Sequence, residues 1–324
     1  MSGEEGLIER WFQRGPRRPD VALGIGDDAA LLQPAASGLL VACTDTLTEG
    51  VHFPEQTPPD AVGHKALAVN LSDVAAMGGT ACWALSALTA PRADPAWLRG
   101  FADGLLTLAS RFGVALVGGD LCRGPTSVTV TVLGTVAPRA ALRRDGARPG
   151  DGIWVSGTLG DAGLGLAVLQ GRAALSGPAR RQCVRRLHYP EPRLTLGGRL
   201  AGRATAAIDL SDGLMRDLGR LCRASRVGAV IEWERVPRSE ALAAWMAHEP
   251  EGWRLPLTAG DDYELLFTLP PGEEARLGAE LEAGEPPCTR IGTVTEPPGL
   301  WLERGGYREI WEAGGGFDHF VEGA

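Results

Sequence analysis

Residues 39–47, LLVACTDTL, predict an apolar β-strand that carries a carboxylate near its end. A helix is expected to follow Pro59 and to extend to the glycine pair at 78–79, and residues 81–90, ACWALSALTA, predict the next strand. A second helix is expected to begin after Asp94, which can cap it, and to end at Gly113. This alternation of strands and helices indicates a sheet that is covered by helices.

The rest of the chain repeats this mixture. Residues 127–136 alternate Val with Thr, which is typical of a strand in a sheet with one wetter face. Residues 139–151, RAALRRDGARPGD, are polar and rich in Arg and Gly, and they predict a connection between two halves. We therefore expect an α/β (α+β) fold with mixed sheets packed with helices in both halves, and two domains, 1–138 and 139–324. The Trp-rich end of the chain is too irregular to assign.

Composition excludes several classes of function. The chain has 324 residues and a net charge of −8, with dispersed basic residues, so nucleic acid is not an expected partner. The apolar stretches are too short for a membrane span. The N-terminus, MSGEEGLIER, has no basic region followed by an apolar core, so a cytoplasmic protein is expected. The six cysteines include no C-x-x-C pair, which predicts reduced thiols. Lys65 is the only lysine and stands in G-H-K-A, so a Walker A phosphate loop is excluded.

Aspartates recur where apolar segments end, next to Gly, Ser or Thr. The most informative is Asp73, because it lies in a helix that is apolar nearly all round, where an unpaired carboxylate is costly. A single aspartate of this kind is usually a turn former or a helix cap, and Asp212 fits a cap of the helix after Gly213. The set consists of Asp27, Asp28, Asp45, Asp73, Asp120, Asp209, Asp212, Asp261 and Asp262.

A cluster of these aspartates would need cations. Lysines and histidines are not placed to neutralise them, and arginines are largely missing from these segments. Two carboxylates about 5 Å apart repel by about 3 kcal/mol at an effective dielectric constant near 20. Oxygen ligands of this type suit Mg²⁺ or Ca²⁺, and Mg²⁺ commonly binds together with substrate phosphates.

Residues 24–32, GIGDDAALL, leave a choice between a phosphate and a cation. Gly24, Gly26 and Ala29 fit the dinucleotide pattern G-x-G-x-x-G/A, but two carboxylates stand where the anion would arrive and a strand-like segment follows. A cation is therefore the better interpretation. The glycines of VGGD at 117–120, and Ser211 with Gly213, offer backbone amides to a phosphate, although either turn has an ordinary structural explanation.

Six segments in this order resemble the thiamine-monophosphate kinase family, within the superfamily of aminoimidazole ribonucleotide synthetase. They are GIGDDAALL, TDTLTEGVHF, HKALAVNLSDVAAMGG, VGGD, AIDLSDGL and GDDYELLF, at 24–32, 44–53, 64–79, 117–120, 207–214 and 260–267. The resemblance implies a two-domain aminoimidazole ribonucleotide synthetase-like fold and a homodimer. It implies an N-terminal domain for Mg²⁺ and ATP binding and dimerisation, and a C-terminal domain that completes the nucleotide and substrate site.

The resemblance also implies a reaction and a set of site residues. ATP and thiamine phosphate would give ADP and thiamine diphosphate, with several Mg²⁺ ions. The implied Mg²⁺ ligands are Asp28, Thr44, Asp45, Asp73, Asp120, Asp209 and Asp212, the nucleotide contacts are Gly119, Asp120, Arg144 and Ser211, and the substrate contacts are His52, Asp261 and Phe317. Without the resemblance, His52 would be a structural or surface histidine, Phe317 a packing aromatic and Arg144 a solvated charge.

One position departs from the family. Family members often have Ser where this chain has Cys43, and a thiol is a poor Mg²⁺ ligand, so a metal contact there would use only the backbone carbonyl. No residue is expected to act as a general base, because a phosphate acceptor is largely dianionic at pH 7. Two alternatives remain at this stage: an ATP-dependent member of the superfamily with a different small-molecule acceptor, and a non-catalytic acidic metal-binding module.

Overall fold

The chain folds into two compact units in the computed structural model, which describes residues 4–25, 29–34 and 37–312. Unit 1 comprises Met1–Val74, Gly79–Pro138 and His188–Pro190, and unit 2 comprises Ala75–Gly78, Arg139–Leu187 and Glu191–Ala324. The division into domains at 138 and 139, with the roles given to each domain, stays a prediction.

Unit 1 holds the strand, helix and strand series that residues 39–112 predict. Its elements are α1 (Glu4–Trp11), β1 (Val21–Leu23), β2 (Leu31–Leu32), β3 (Leu39–Thr48), α2 (Pro59–Ala76), β4 (Thr80–Ala90), α3 (Pro95–Phe112), β5 (Ala115–Arg123) and β6 (Ser127–Val136). A four-stranded mixed sheet has the order β3-β6-β4-β5, and β1 and β2 form a separate pair. The Val side chains of β6 are buried and the Thr side chains are not, which confirms the predicted wetter face.

The helix α3 shows why local signals were sufficient in this part of the chain. The Asp94 carboxylate accepts hydrogen bonds from the amides of Ala96 (2.9 Å) and Trp97 (3.4 Å), and Pro95 occupies the first turn. Gly113 ends the helix in the left-handed conformation, with φ of 66°. Both predicted ends of this helix are confirmed.

Unit 2 is built on a mixed seven-stranded sheet. The elements are β7 (Gly152–Ser156), α4 (Asp161–Leu169), α5 (Gly177–His188), α6 (Leu194–Leu200), β8 (Ala206–Asp209), α7 (Leu214–Ser225), β9 (Gly228–Glu232), α8 (Glu240–Met246), α9 (Leu255–Thr258), β10 (Leu265–Leu269), α10 (Pro271–Glu282), β11 (Cys288–Thr295), β12 (Gly299–Arg304) and β13 (Tyr307–Ile310). The order of the strands is β13-β12-β9-β11-β7-β10-β8. Together the two units confirm the predicted fold class of mixed sheets packed with helices.

The centre of this sheet is apolar, whereas one end of it is acidic. Every residue of β7, β8 and β10 is buried. Because β10 is antiparallel to both β7 and β8, the last residues of those two strands meet the first residue of β10 at the same end of the sheet. The loops at 157–161, 210–213 and 260–264 therefore lie together, and they carry several of the predicted site residues.

Candidate active site

In unit 1, the strand β3 presents the segment Cys43, Thr44 and Asp45. The Cys43 thiol donates to the carbonyl oxygen of Asn70 at 3.3 Å, so this sulfur is occupied by a backbone contact of α2. The Thr44 hydroxyl lies 3.2 Å from the carbonyl oxygen of Val130 and 3.0 Å from the hydroxyl of Thr131. These three side-chain contacts hold β3 in place, and none of them involves the backbone carbonyl of Cys43 or Thr44.

Asp45 and Asp73 converge from β3 and α2. Their side chains are hydrogen-bonded to each other, which requires a proton between the two carboxyl groups. Burial raises the pKa of Asp45, and the hydrogen bond from Asp73 opposes that effect. A divalent cation would replace the shared proton and neutralise both carboxylates, so this pair fits the chemistry of a Mg²⁺ site.

Asp120 lies elsewhere on the same sheet. The register pairs Thr46 with Thr129, Thr129 with Ala87, and Ala87 with Asp120, so Asp120 and Asp45 are on opposite faces of the sheet. They are also on opposite edge strands, and three strand spacings of about 4.8 Å put their backbones about 14 Å apart. Asp120 and Asp45 therefore do not bind the same ion within one chain.

Gly119, next to Asp120, has a structural reason for lacking a side chain. Its φ is 151°, and an added Cβ would lie 1.9 Å from the carbonyl oxygen of Ser86 on β4. The glycine is therefore required for the pairing of β4 and β5, whatever else its amide binds. The Asp120 carboxylate accepts hydrogen bonds from the amide of Leu121 (2.9 Å) and the thiol of Cys122 (3.0 Å).

His52 is held by two contacts of known direction. Its Nδ1 accepts a hydrogen bond from the amide of Thr48 at 2.9 Å, so the neutral ring carries its proton on Nε2. Its carbonyl oxygen accepts a hydrogen bond from Nζ of Lys65 at 3.2 Å. The single lysine of the chain is buried and supports the turn that presents His52.

In unit 2, backbone hydrogen bonds join the loops at 210–213 and 260–264. The amide of Asp261 donates to the carbonyl oxygen of Ser211 (2.9 Å), and the amide of Tyr263 donates to that of Leu210 (2.8 Å). Asp261 and Tyr263 have positive φ of 68° and 49°. Such values are uncommon away from glycine and are often found at functional sites. The structure therefore brings together Ser211 and Asp261, which were predicted as a nucleotide and a substrate contact.

The structure contradicts two predictions about Asp212, its role as a helix cap and the lack of arginines near it. It does not cap α7, since Gly213 is the N-cap and no side chain accepts a hydrogen bond there. Arginines are also not missing from its surroundings: Nη2 of Arg220 lies 2.5 Å from Oδ2 of Asp212, and Nε of Arg216 lies 3.7 Å from the same oxygen. The predicted metal ligand is thus an ion-paired carboxylate.

The remaining predicted residues are placed as follows. Asp209 is buried at the end of β8, in register with Leu265. Arg144 is exposed, and the preceding Arg143 carbonyl accepts the amide of Ala207, so this segment runs along β8. Asp28 and Phe317 lie outside the described residues. Within residues 4–25, 29–34 and 37–312, no group of three or more His, Cys, Asp or Glu side chains could hold a metal ion.

Two family models match the chain. "AIR synthase related protein, N-terminal domain" matches residues 26–136, and "AIR synthase related protein, C-terminal domain" matches residues 148–303. The chain is 44% identical over 325 residues to thiamine-monophosphate kinase of Escherichia coli strain K12, and the match covers 98% of each chain. The chain belongs to the thiamine-monophosphate kinase family.

Solved structures of the thiamine-monophosphate kinase family agree with the observed architecture. The enzyme of Stenotrophomonas maltophilia is 44% identical, with a TM-score of 0.86 over 93% of this chain and 96% of that one. A structure described as AaThiL complexed with AMPPCP and TMP is 32% identical, with a TM-score of 0.79 over 98% and 97% of the two chains. These matches confirm both the predicted family and its two-domain fold.

The buried network around Glu264 was not predicted from the sequence, although Glu264 stands in the segment GDDYELLF. The fully buried Glu264 carboxylate accepts hydrogen bonds from Ser156 Oγ (2.6 Å), Arg186 Nη2 (2.7 Å) and Arg193 Nε (2.6 Å). Its backbone carbonyl accepts the amide of Leu210. A glutamate at the start of an otherwise apolar strand was the available signal.

Asp262 belongs to the predicted set of aspartates, and the resemblance gives it no role. It is buried, its Oδ2 accepts a hydrogen bond from the amide of Gly160 at 2.8 Å, and its pKa is well above the usual value because burial penalises the charged form. The bond joins the loop at 260–264 to the loop at 157–161. Asp262 thus helps to hold the backbone that presents Asp261.

No helix among the described residues is long and apolar enough to cross a membrane.

Proposed function

We propose that this chain transfers the γ-phosphoryl group of ATP directly, in line, to the phosphate of thiamine monophosphate. This is the reaction of the family. It yields ADP and thiamine diphosphate, and it is the last step of thiamine diphosphate biosynthesis. The observation that carries the proposal is 44% identity to a thiamine-monophosphate kinase over 98% of both chains. The structure described as a complex with AMPPCP and TMP supports ATP and thiamine monophosphate as the two ligands.

The reaction needs no general base and no phospho-enzyme. The acceptor is an oxygen of the thiamine phosphate group. The second pKa of such a group is about 6, so the group is mostly dianionic at pH 7. His52 suits a binding role, because its Nδ1 is occupied by the Thr48 amide and its neutral form presents Nε2–H as a donor. We assign His52 as a hydrogen-bond donor to the thiamine phosphate and not as a proton acceptor.

The carboxylates of unit 1 are proposed to hold Mg²⁺. When bound, Mg²⁺ would neutralise phosphate charge and align the reacting groups. The Asp45–Asp73 pair is the best-supported ligand set, because the two carboxyl groups meet within hydrogen-bonding reach and burial penalises the charged form of Asp45. Thr44 and Cys43 would contribute only backbone carbonyls, since their side chains have other partners.

Unit 2 is proposed to contribute the remaining contacts. Ser211 and Gly213 flank the turn before α7 and would bind the nucleotide, together with the exposed Arg144. Asp209 and Asp212 would be further Mg²⁺ ligands. Asp261 would contact the thiamine phosphate, and its left-handed backbone conformation supports this role because such strain persists where a side chain must be aimed.

A homodimer is part of the proposal. The face of the four-stranded sheet that carries Thr44 and Asp120 also carries Leu40 and Leu85, which are 59% and 37% exposed. A second copy would cover these leucines and face the Asp120 carboxylate. Light scattering after gel filtration should give twice the chain mass, and a monomer at micromolar concentration would contradict this part. All six cysteines are free thiols, which supports the cytoplasm as the compartment.

A coupled ADP-release assay tests the activity. Purified protein with ATP, Mg²⁺ and thiamine monophosphate should release ADP and form thiamine diphosphate, and both products should vanish with excess EDTA. ADP release only with another phosphorylated acceptor would overturn the substrate assignment.

The Asp73→Asn variant tests the metal role. It should lose at least about 100-fold in kcat while remaining folded, because one of the two paired carboxylates no longer carries charge. Asp103→Asn is the matched control, since Asp103 is half exposed and pairs with Arg14 and Arg99 on the surface of unit 1. Near wild-type turnover of Asp73→Asn at saturating Mg²⁺ would contradict the assignment.

A further inference from the structure

Arg220 binds two carboxylates at once at the start of α7. Its Nη2 lies 2.5 Å from Oδ2 of Asp212, and its Nη1 lies 2.7 Å from Oδ1 of Asp217. The other oxygen of Asp217 accepts the backbone amide of Asp212 at 2.9 Å. The three residues therefore form a closed network around the turn that carries Asp212.

The network follows from helical spacing. Arg216 and Arg220 stand four and eight residues after Asp212, so both guanidinium groups lie on the side of α7 that faces the turn. The Asp217 side chain is fully buried, whereas those of Asp212 and Arg220 are 20% and 32% exposed. Water can therefore reach Asp212 and Arg220, but Asp217 depends on its protein partners.

We infer that Arg220 is a built-in counter-ion that competes with the divalent cation for Asp212, so that metal binding there replaces the guanidinium. This inference rests on the proposed ligand role of Asp212. A guanidinium bonded to one carboxylate oxygen withdraws electron density from the group and repels a second cation beside it.

Asp217 limits the structural change that follows when a metal ion replaces Arg220 at Asp212. When Arg220 leaves Asp212, it retains its 2.7 Å ion pair with Asp217, and Asp217 retains the amide of Asp212. Neither the first turn of α7 nor the buried carboxylate then loses all of its partners. Arg220 is thus a positioning residue for Asp212 and sets how tightly the metal binds, without touching the substrate.

Mn²⁺ binding to the ATP-free protein tests the inference, with free Mn²⁺ measured by electron paramagnetic resonance. Asp212→Asn identifies the site by weakening one Mn²⁺ site at least tenfold. Arg220→Gln should bind Mn²⁺ at that site roughly 3- to 10-fold more tightly, and Arg220→Lys should stay within about twofold of wild type. Adding Asp212→Asn to Arg220→Gln should abolish the gain.

Arg223→Gln is the matched control, because it removes the same charge from an exposed position of the same helix and should change Mn²⁺ affinity less than twofold. Arg216→Gln leaves the Asp217 network intact and should give a smaller gain, about twofold, so the inference remains testable if Arg220→Gln does not fold. If Arg220→Gln and Arg216→Gln both leave the Mn²⁺ affinity unchanged while Asp212→Asn weakens it, the inference that Arg220 competes with the metal is wrong, and the ligand role of Asp212 stands. If Asp212→Asn leaves Mn²⁺ binding unchanged, the proposed ligand role of Asp212 fails as well.

Discussion

Replacing Glu264 by Gln should be the most destabilising single-charge change in unit 2. Glu264 is fully buried, and its partners Arg186 and Arg193 have side chains that are only 19% and 13% exposed. Removing the carboxylate leaves two guanidinium groups without their shared counter-ion, and breaking a buried pair in this way costs about 3–5 kcal/mol. At about 2–4 °C per kcal/mol for a large domain, the melting temperature should fall by about 10 °C.

The assay is thermal unfolding followed by circular dichroism at pH 7.5. Glu251→Gln is the control, because Glu251 is 77% exposed and its ion pair with Arg254 is on the surface, so the melting temperature of this variant should change by about 1 °C or less. Glu264 lies in the loop at 260–264 that also carries Asp261, so activity should fall together with stability. A melting temperature of Glu264→Gln within about 2 °C of wild type would refute the reasoning.

Two further predictions concern local structure and pH. Asp94→Ala removes two accepted amide hydrogen bonds at the start of α3 and should lower the free energy of unfolding by about 1 kcal/mol in urea titrations, while an unchanged midpoint would contradict the capping role. Burial raises the pKa of the thiols of Cys183, Cys222 and Cys288 to about 12. Folded protein at pH 8 should therefore be alkylated by iodoacetamide at the exposed Cys122 and not at these three. Because the folded pKa of each exceeds the unfolded pKa of about 8.5, their contribution to stability is complete below pH 8.5 and is lost as pH rises toward 12. Rapid labelling of the buried thiols in folded protein would contradict this prediction.

Elements whose start and end are both marked by residues in the sequence could be predicted. The helix α3 has a capping aspartate, a proline in its first turn and a terminal glycine, and all three act as expected. The hairpin of β12 and β13 was missed, although its Gly305-Gly306 turn is flanked by strand-like residues. Both glycines have positive φ, as a two-residue hairpin turn requires. The surrounding Trp and Gly residues concealed a pattern that was present.

Backbone conformation limited the prediction near Asp261. Residues 263–269, YELLFTL, have the composition of a strand, but β10 begins only at Leu265, because Tyr263 lies in the left-handed region. The periodicity of apolar residues does not predict where a single residue adopts the left-handed conformation. The two left-handed residues instead place the amides of Asp261 and Tyr263 against the carbonyls of Ser211 and Leu210, and that contact forms the acidic end of the sheet.

Pairing of charges could be predicted only where the spacing is helical. Asp212 and Arg216 are four residues apart, and Asp217 and Arg220 are three apart, so these two ion pairs were readable from the sequence, although arginines were expected to be largely missing from this segment. The pairing of Glu264 with Arg186 and Arg193 joins residues more than 70 positions apart in the chain. It depends on how α5, which carries Arg186, and the start of α6, where Arg193 is the N-cap, pack against the residue before β10.

The predicted aspartates therefore separate into groups with different electrostatics. Mutual repulsion applies to Asp45 and Asp73, whose side chains meet within hydrogen-bonding reach, and burial raises the pKa of Asp45. Asp120 belongs to the other face and the other edge of the same sheet, so its metal cannot be theirs within one chain. Asp212 is already neutralised by an arginine. A requirement for cations thus follows from the Asp45–Asp73 pair, while Asp212 binds a metal only by giving up Arg220.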